Sequence, residues 1–126
     1  MNHRSPLALA KARGSARLGT SAWLWQRVTA LFLIPFVFWL AQALVRLPAM
    51  DYATARTWLA HPVNGTLLSA AICLLIGHAL LGLRTIIEDY VHDQRAKWGV
   101  LWLVQFVFLL MGLASIRAIW RVGTGD

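Results

Sequence analysis

His78 is an ionisable residue inside an apolar run, residues 63–83, that is long enough to cross a bilayer. Placing an ionisable group at membrane depth is costly, so such a residue commonly marks a ligand, a proton path or a substrate site. Asp89 and Tyr90 follow 11 and 12 residues later. At about 100° per residue, Asp89 returns almost to the face of His78, roughly 16 Å further along a helix. This spacing indicates a cofactor within the membrane and a polar ligand at its surface.

A stripe of residues at alternating spacings of four and three runs along the helix predicted around His78. Its members are Ala71, Leu75, His78, Gly82, Thr85 and Asp89. The small residues 71 and 82 would let another helix or a flat macrocycle approach closely. A neutral imidazole nitrogen is a good axial ligand for haem iron. His78 is therefore a candidate iron ligand; the alternative is a structural histidine that is hydrogen-bonded between helices without a cofactor.

A six-coordinate haem would need a second axial ligand. The other histidines, His3, His61 and His92, fall in the tail and loops rather than at membrane depth. The second ligand would therefore have to come from another chain or another copy. The single cysteine, Cys73, lies in the same apolar run as His78 and is expected to act as a small apolar side chain. Iron ligation through its thiolate is not expected, because no neighbouring residue in the sequence would stabilise the thiolate.

Four further polar residues each admit two interpretations. Asp89 and Tyr90 ordinarily would end the helix and face water, or they could serve a quinone, which needs a hydrogen-bond donor and a route for protons. Arg27, at the start of the first apolar run, is either a membrane-surface anchor or a partner for an anionic group such as a haem propionate. Gln105, inside the third apolar run, favours a hydrogen bond between helices.

The composition is that of an integral membrane protein. Hydrophobic residues make up 59% of the chain and charged residues 13%, whereas soluble domains carry about 25% charged residues. The net charge of +7 does not indicate nucleic-acid binding, because the basic residues flank apolar runs instead of forming one polar patch.

Three apolar runs predict an all-α fold with three transmembrane helices, at about 24–46, 62–90 and 98–120. A basic cytoplasmic tail, 1–22, would precede a single membrane domain, 23–122. Between the first two spans, residues 51–60 predict a short interfacial helix with Asp51 as its N-cap. The segment before the first helix and the loop 84–97 carry more basic residues than the loop 46–62 and the tail after the third helix. The N-terminus is therefore predicted to be cytoplasmic and the C-terminus periplasmic.

Two segments resemble a known family. Residues 19–30 read GTSAWLWQRVTA, and residues 78–92 read HALLGLRTIIEDYVH. Together they resemble the hydrophobic membrane-anchor subunit, the D chain, of succinate dehydrogenase (respiratory complex II), in its alphaproteobacterial form. The resemblance extends from about Gly19 to the third helix. Its most specific part is the histidine, the glycine four residues later and the Asp-Tyr pair.

The resemblance implies roles for four residues. His78 matches one axial ligand of a haem b that the family shares between this chain and the cytochrome subunit. Tyr90 matches a tyrosine that hydrogen-bonds ubiquinone, and Asp89 matches an aspartate linked to the same site. Arg27 matches an arginine near the haem propionates. One departure is that Ser21 and Ala22 stand where many relatives carry a histidine.

The resemblance also implies a function and a location. The chain would be a non-catalytic subunit that docks the flavoprotein and iron–sulfur subunits to the membrane, shares haem b with the cytochrome b subunit (the C chain), and contributes to reduction of ubiquinone, the substrate. It would lie among lipids in the bacterial inner (cytoplasmic) membrane, or alternatively in the mitochondrial inner membrane. The alternatives are an anchor of a fumarate reductase, another small cytochrome b chain, or a non-redox three-helix scaffold.

Overall fold

Four α-helices and one turn of 3₁₀-helix make up the regular structure of residues 16–124, the part of the chain that the computed structural model describes. The helices are α1 (Ala16–Arg46), α2 (Tyr52–Ala60), α3 (Pro62–Tyr90) and α4 (Gln94–Thr124). The 3₁₀ turn, Leu47–Ala49, joins α1 to α2. Within this part of the chain the fold is all-α, as the sequence predicts.

Three of these helices, α1, α3 and α4, are long and apolar enough to cross a membrane. Each has 29 to 31 residues, which gives about 45 Å of helix at 1.5 Å per residue. The hydrocarbon core of a bilayer is about 30 Å thick. Each helix therefore extends beyond the apolar layer at one or both ends, and the prediction of three spans is confirmed.

The helix bounds differ from the predicted ones mainly at the starts. α1 begins at Ala16 and α4 at Gln94, whereas hydropathy places these starts near 24 and 98. Helical hydrogen bonding continues past the apolar segment, and Asp93 caps α4 by accepting a hydrogen bond from the Ala96 amide at 2.8 Å. Residues 1–15 of the proposed tail lie outside the described residues.

The short helix α2 confirms the predicted helix between the first two spans. Asp51 is its N-cap and accepts a hydrogen bond from the Thr54 amide at 3.2 Å. His61 ends α2 and caps α3 through Nδ1, which lies 3.3 Å from the Val63 amide nitrogen. Pro62 occupies the first turn of α3, where a missing amide hydrogen costs no helical hydrogen bond.

The central element of the bundle is α3, which packs against both α1 and α4. Small residues permit the close approach of α4: a Cβ atom added at Gly112 would lie 2.6 Å from Ile76 Cδ1. At the end of the bundle near α2, the rings of Trp39 and Trp58 stack with centroids 5.9 Å apart. Most large apolar side chains point outward, and the buried hydrophobic residues of the described chain are Ala43, Ile87 and Leu101.

Candidate functional site

His78 lies half-buried in the interface between α3 and α1. Its Nδ1 atom is 3.0 Å from the hydroxyl oxygen of Thr29. Its Nε2 atom is 3.4 Å from the side-chain amide nitrogen of Gln26. The first distance is a normal hydrogen bond, whereas the second exceeds the usual 2.7–3.2 Å range and is weak. One imidazole nitrogen is therefore firmly held and the other is loosely satisfied.

The local sequence explains why these three side chains meet. Gln26 and Thr29 are three residues apart on α1 and so share one helical face. Gly82, one turn after His78, leaves the space that the Gln26 side chain occupies, because a Cβ atom there would lie 3.2 Å from Gln26 Nε2. The Thr29 hydroxyl also lies 2.8 Å from the carbonyl oxygen of Trp25. The small residue at 82, which the sequence singles out, thus accommodates a polar side chain beside the histidine.

Gln26 shows incomplete hydrogen bonding at this point. Its Oε1 atom is buried and has no hydrogen-bond partner among the described residues. A buried acceptor without a partner costs about 1–3 kcal/mol. Because buried polar groups in native proteins are nearly always paired, such an exception calls for an explanation, for example a group that binds beside it.

Arg27 is not joined to His78 by any contact in the described structure. Its guanidinium lies over the Trp23 ring, 4.2 Å from the ring centroid, and the side chain is exposed. This stacking leaves the N–H edges of the guanidinium available to an anion. The arginine and the histidine thus share one end of the α1–α3 interface without touching.

Asp89 and Tyr90 are exposed in the last turn of α3, and the Tyr90 side chain is 79% exposed. Within the described part of the chain, neither the carboxylate nor the phenol has a hydrogen-bond partner. The helix is ended instead by the backbone of Val91, whose amide donates to Ile87 O. Tyr90 lies 12 residues after His78, about 18 Å along the helix, so the structure separates the two candidate sites.

Two cavities adjoin this half of the bundle. One of about 350 Å³ lies between the three long helices and extends from Thr29 and Gly77 to Ile87 and Gln105. A second of about 670 Å³ is lined by Arg84, Glu88, Gln94, Lys97, Trp98, Leu101, Trp102 and Gln105. Neither cavity is lined by Asp89 or Tyr90. A site that used those two residues would have to be completed by other chains.

Other polar residues of this region serve the fold. Arg84 Nε donates to Glu88 Oε1 at 2.7 Å, an exposed pair one helical turn apart. Lys97 Nζ donates to the carbonyl of Glu88 at 3.2 Å and so ties α4 to the end of α3. The interhelical hydrogen bond predicted for Gln105 is absent among the described residues, because that side chain is exposed and lines the two cavities.

The donor set limits what metal chemistry this chain can support. No cluster of three or more His, Cys, Asp and Glu side chains with the geometry of a metal site occurs among the described residues. A metal bound at His78 would therefore take a single protein ligand from this part of the chain. The alternative role of His78, a structural hydrogen bond between helices, also has support, because its bond to Thr29 connects α3 to α1.

Sequence reasoning missed Gln26 and Thr29. Their signal was a pair of polar residues, three apart, next to Arg27 and within or beside the first apolar run. Hydropathy predicts a helix for that segment but does not indicate which face of the helix packs against α3. In the structure, the face that carries Gln26 and Thr29 packs against α3.

Fold and site together define an integral membrane protein with three spans and one half-buried histidine between two of them. The chain belongs to the family of succinate dehydrogenase/fumarate reductase transmembrane subunits, whose model matches residues 1–113. The family predicted from the sequence is thereby confirmed. No solved structure matches the chain.

Relatives of known name agree with this assignment. The succinate dehydrogenase hydrophobic membrane anchor subunit of Rickettsia bellii is 30% identical over 120 residues, which cover 95% of this chain and 96% of the relative. The subunit of the same name from Rickettsia conorii is 29% identical, covering 95% and 96%. That of Rickettsia typhi is 27% identical, covering 92% and 93%. The similarity thus extends over nearly the whole of both chains.

Proposed function

We propose that this chain is the hydrophobic membrane anchor subunit of a succinate:ubiquinone oxidoreductase. The observation that carries the proposal is the similarity of nearly the whole chain to subunits of that name, within a family matched from residue 1 to 113. In this role the chain performs no reaction alone. It holds a flavoprotein subunit and an iron–sulfur subunit at the membrane and builds shared sites with a cytochrome b subunit.

His78 would be one axial ligand of a haem b shared with the cytochrome subunit. The residues present fit this role: the ring is half-buried, its Nδ1 is anchored by Thr29, and its Nε2 meets only a weak contact at 3.4 Å. The unpartnered Gln26 Oε1 marks incomplete hydrogen bonding beside the same nitrogen. When bound, haem b would supply a one-electron carrier; this chain would hold it through one imidazole, and the cytochrome subunit would hold it as well.

Arg27 would neutralise a haem propionate. It stands at the same end of α1 as Gln26 and Thr29, and its guanidinium edge is left available by the stack on Trp23. Charge-assisted hydrogen bonds between arginine and carboxylate are short and strong. The supporting observation is that this cation has no acidic partner among the described residues.

Tyr90 and Asp89 would contribute to the ubiquinone site. The Tyr90 phenol can donate a hydrogen bond to a quinone carbonyl without carrying charge. The Asp89 carboxylate is open to water and can pass protons to the reduced quinone. Both side chains are exposed and lack polar partners within the described chain, which suits a site closed by the iron–sulfur and cytochrome subunits.

The positive-inside rule supports an orientation with the α3–α4 loop on the cytoplasmic side of the bacterial inner membrane. The segment up to Arg27 carries five basic residues and the loop 84–97 three, against two in the loop 46–62 and two at the end of the third span. The ubiquinone site would then face the cytoplasm, where the flavoprotein and iron–sulfur subunits would dock.

The test is gentle detergent purification of the tagged chain from its native membrane, with mass spectrometry of the chains that come with it. We expect a flavoprotein, an iron–sulfur protein and a second hydrophobic chain, together with succinate-driven ubiquinone reduction in the same fraction. Recovery of the intact chain with none of these partners, or with only fumarate-reducing activity driven by quinol, would contradict the proposal.

A further inference from the structure

We propose that Thr29 is a positioning residue that fixes His78 as the tautomer protonated on Nδ1, so that Nε2 presents its lone pair to iron. This inference rests on the proposed role of His78 as a haem ligand and assigns a function to a residue on a different helix. The geometry around the Thr29 hydroxyl points to this tautomer, and the contact at the other ring nitrogen is compatible with it.

From the Nδ1 end, the position of one hydroxyl hydrogen decides the tautomer. The Thr29 oxygen lies 2.8 Å from the Trp25 carbonyl oxygen, 3.1 Å from the Gln26 carbonyl oxygen and 3.0 Å from His78 Nδ1. The Trp25 carbonyl is the nearest of the three neighbours and can only accept a hydrogen bond, so the single hydroxyl hydrogen is best placed toward the α1 backbone. The lone pairs of Thr29 then face Nδ1, which must donate.

From the Nε2 end, the neighbouring group is an amide nitrogen. Gln26 Nε2 lies 3.4 Å from His78 Nε2. The amide nitrogen is a hydrogen-bond donor, which is compatible with an Nε2 that carries a lone pair and no hydrogen. This agrees with the tautomer that Thr29 requires. The contact is long and the Gln26 oxygen is unpartnered. Displacing the Gln26 side chain from Nε2 would therefore cost little hydrogen-bond energy.

The Thr29 bond has two consequences for a ligand at Nε2. It fixes the rotation of the imidazole ring, and it raises the electron-donor strength of Nε2, as partners of the distal nitrogen generally do for metal-bound histidines. A stronger donor favours ferric over ferrous iron. Removing the hydroxyl should therefore make the haem easier to reduce, and hydrogen bonding of this kind is one of the levers by which proteins set haem potentials.

The experiment is a redox titration of the b-type absorbance in the purified complex carrying Thr29→Val, which keeps the shape of the side chain and removes the hydroxyl. We expect the midpoint potential to become more positive by an amount equivalent to roughly a tenfold shift toward the ferrous form, about 59 mV for one electron. Thr29→Ser, which restores the hydroxyl, should return the potential to that of the unsubstituted complex.

Thr57→Val is the matched control, because Thr57 makes the same bond to a carbonyl one turn back, at 2.9 Å from Ala53 O, on the exposed helix α2. The haem midpoint potential of the Thr57→Val complex should equal that of the unsubstituted complex. If the valine variant fails to assemble, Thr29→Ala and Thr29→Ser provide a pair that also differs in the hydroxyl group.

An unchanged potential in the hydroxyl-free variants, or an equal shift in Thr29→Ser, would overturn the role of Thr29 while leaving His78 as a ligand. Absence of any haem from the unsubstituted complex would instead contradict the proposed role of His78. The two failures are therefore distinguishable.

Discussion

The imidazole of His78 is held on α1 by one nitrogen and loosely contacted on the other. A hydrogen bond between helices within a membrane contributes about 0.6 kcal/mol on average, so the Thr29 bond stabilises the α1–α3 contact only modestly. It leaves Nε2 with the weak Gln26 contact, so the same residue can connect two helices and offer a nitrogen to a ligand.

Tyr90 is proposed to donate a hydrogen bond to the quinone, and Tyr90→Phe tests this role. The substitution removes one phenolic hydrogen bond to the quinone, worth about 0.5–1.5 kcal/mol, so succinate-to-ubiquinone turnover should fall by roughly twofold to thirteenfold. Succinate oxidation with an artificial acceptor should be unaffected. The measurement is the ratio of the two activities in purified complex.

Tyr52→Phe is the control for this prediction. Tyr52 is as exposed as Tyr90, at 78% against 79%, but begins α2 on the opposite side of the molecule. Its activity ratio should stay constant. Equal loss of both activities in Tyr90→Phe would indicate an assembly defect and would count against a quinone contact.

At the scale of elements, the α3–α4 contact depends on the absence of a side chain at Gly112. A Cβ atom there would meet Ile76 Cδ1 at 2.6 Å, which is a clash with the end of a flexible side chain. Small residues at such points let membrane helices pack by close van der Waals contact. The position of α4 relative to α3 is therefore sensitive to one methyl group on either helix.

A double-mutant cycle tests this contact. Gly112→Ala should lower the midpoint of SDS-induced unfolding of the complex, and adding Ile76→Val should restore it, since valine lacks Cδ1. The coupling free energy should be about 0.5–1 kcal/mol, at the lower end of values for residues in contact. Gly99→Ala is the control, because nothing lies within 4 Å of a Cβ atom there. Additive effects of the two substitutions would contradict the packing described.

The start of α2 depends on the charge of Asp51. Hydrogen bonds from the Thr54 side chain and then the Thr54 backbone hold the pKa of Asp51 below its ordinary value of 3.8. A carboxyl whose pKa is lowered on folding stabilises the helix above its unfolded-state pKa, and this contribution is lost as the pH falls through the folded-state pKa.

We therefore expect the Asp51 carboxyl, followed by NMR in a detergent-solubilised sample, to titrate below pH 3.8. The amide of Thr54 should lose protection from hydrogen exchange over the same interval. In Asp51→Asn, the Thr54 exchange should no longer follow that titration. A carboxyl that titrated above its ordinary value would show that this cap is not formed.

At the scale of the whole molecule, the chain has too small an interior to stand alone in water. Few apolar residues of the described chain are buried. Large apolar side chains such as Phe38 (71%), Trp102 (68%) and Leu113 (57%) are mostly exposed. Exposed apolar surface on this scale must be covered by lipid or by other subunits. The family to which the chain belongs implies association with other subunits, and the exposed apolar surface leaves area for them and for lipid.

Most of the helical architecture could be predicted from the sequence, because apolar runs in lipid can only be helical. The bounds 62–90 of the second span and the cap at Asp51 were readable from hydropathy, Pro62 and helix-capping rules. The early starts of α1 and α4 were not, since hydropathy marks the apolar layer rather than the ends of hydrogen bonding. The contacts of the polar side chains depend on how the helices are rotated against one another, and the periodicity of one helix does not encode that rotation. This applies to Gln26 and Thr29, which meet His78, and to Gln105, which has no partner among the described residues.

The family was recognisable from the spacing of His78, Gly82, Asp89 and Tyr90. Those residues alone left ligand and structural roles open for the histidine. The roles of His78, Arg27, Asp89 and Tyr90 are still predictions, because the groups they would bind are a cofactor, a substrate or other chains.

The most direct test of the central claim is the electron paramagnetic resonance spectrum of oxidised haem in the assembled complex, with and without His78→Ala. The unsubstituted complex should show a low-spin six-coordinate signal, and so should His92→Ala, which removes an exposed histidine elsewhere. His78→Ala should lose that signal, leaving high-spin iron or no haem. An unchanged low-spin signal in assembled His78→Ala complex would show that this imidazole does not ligate the iron.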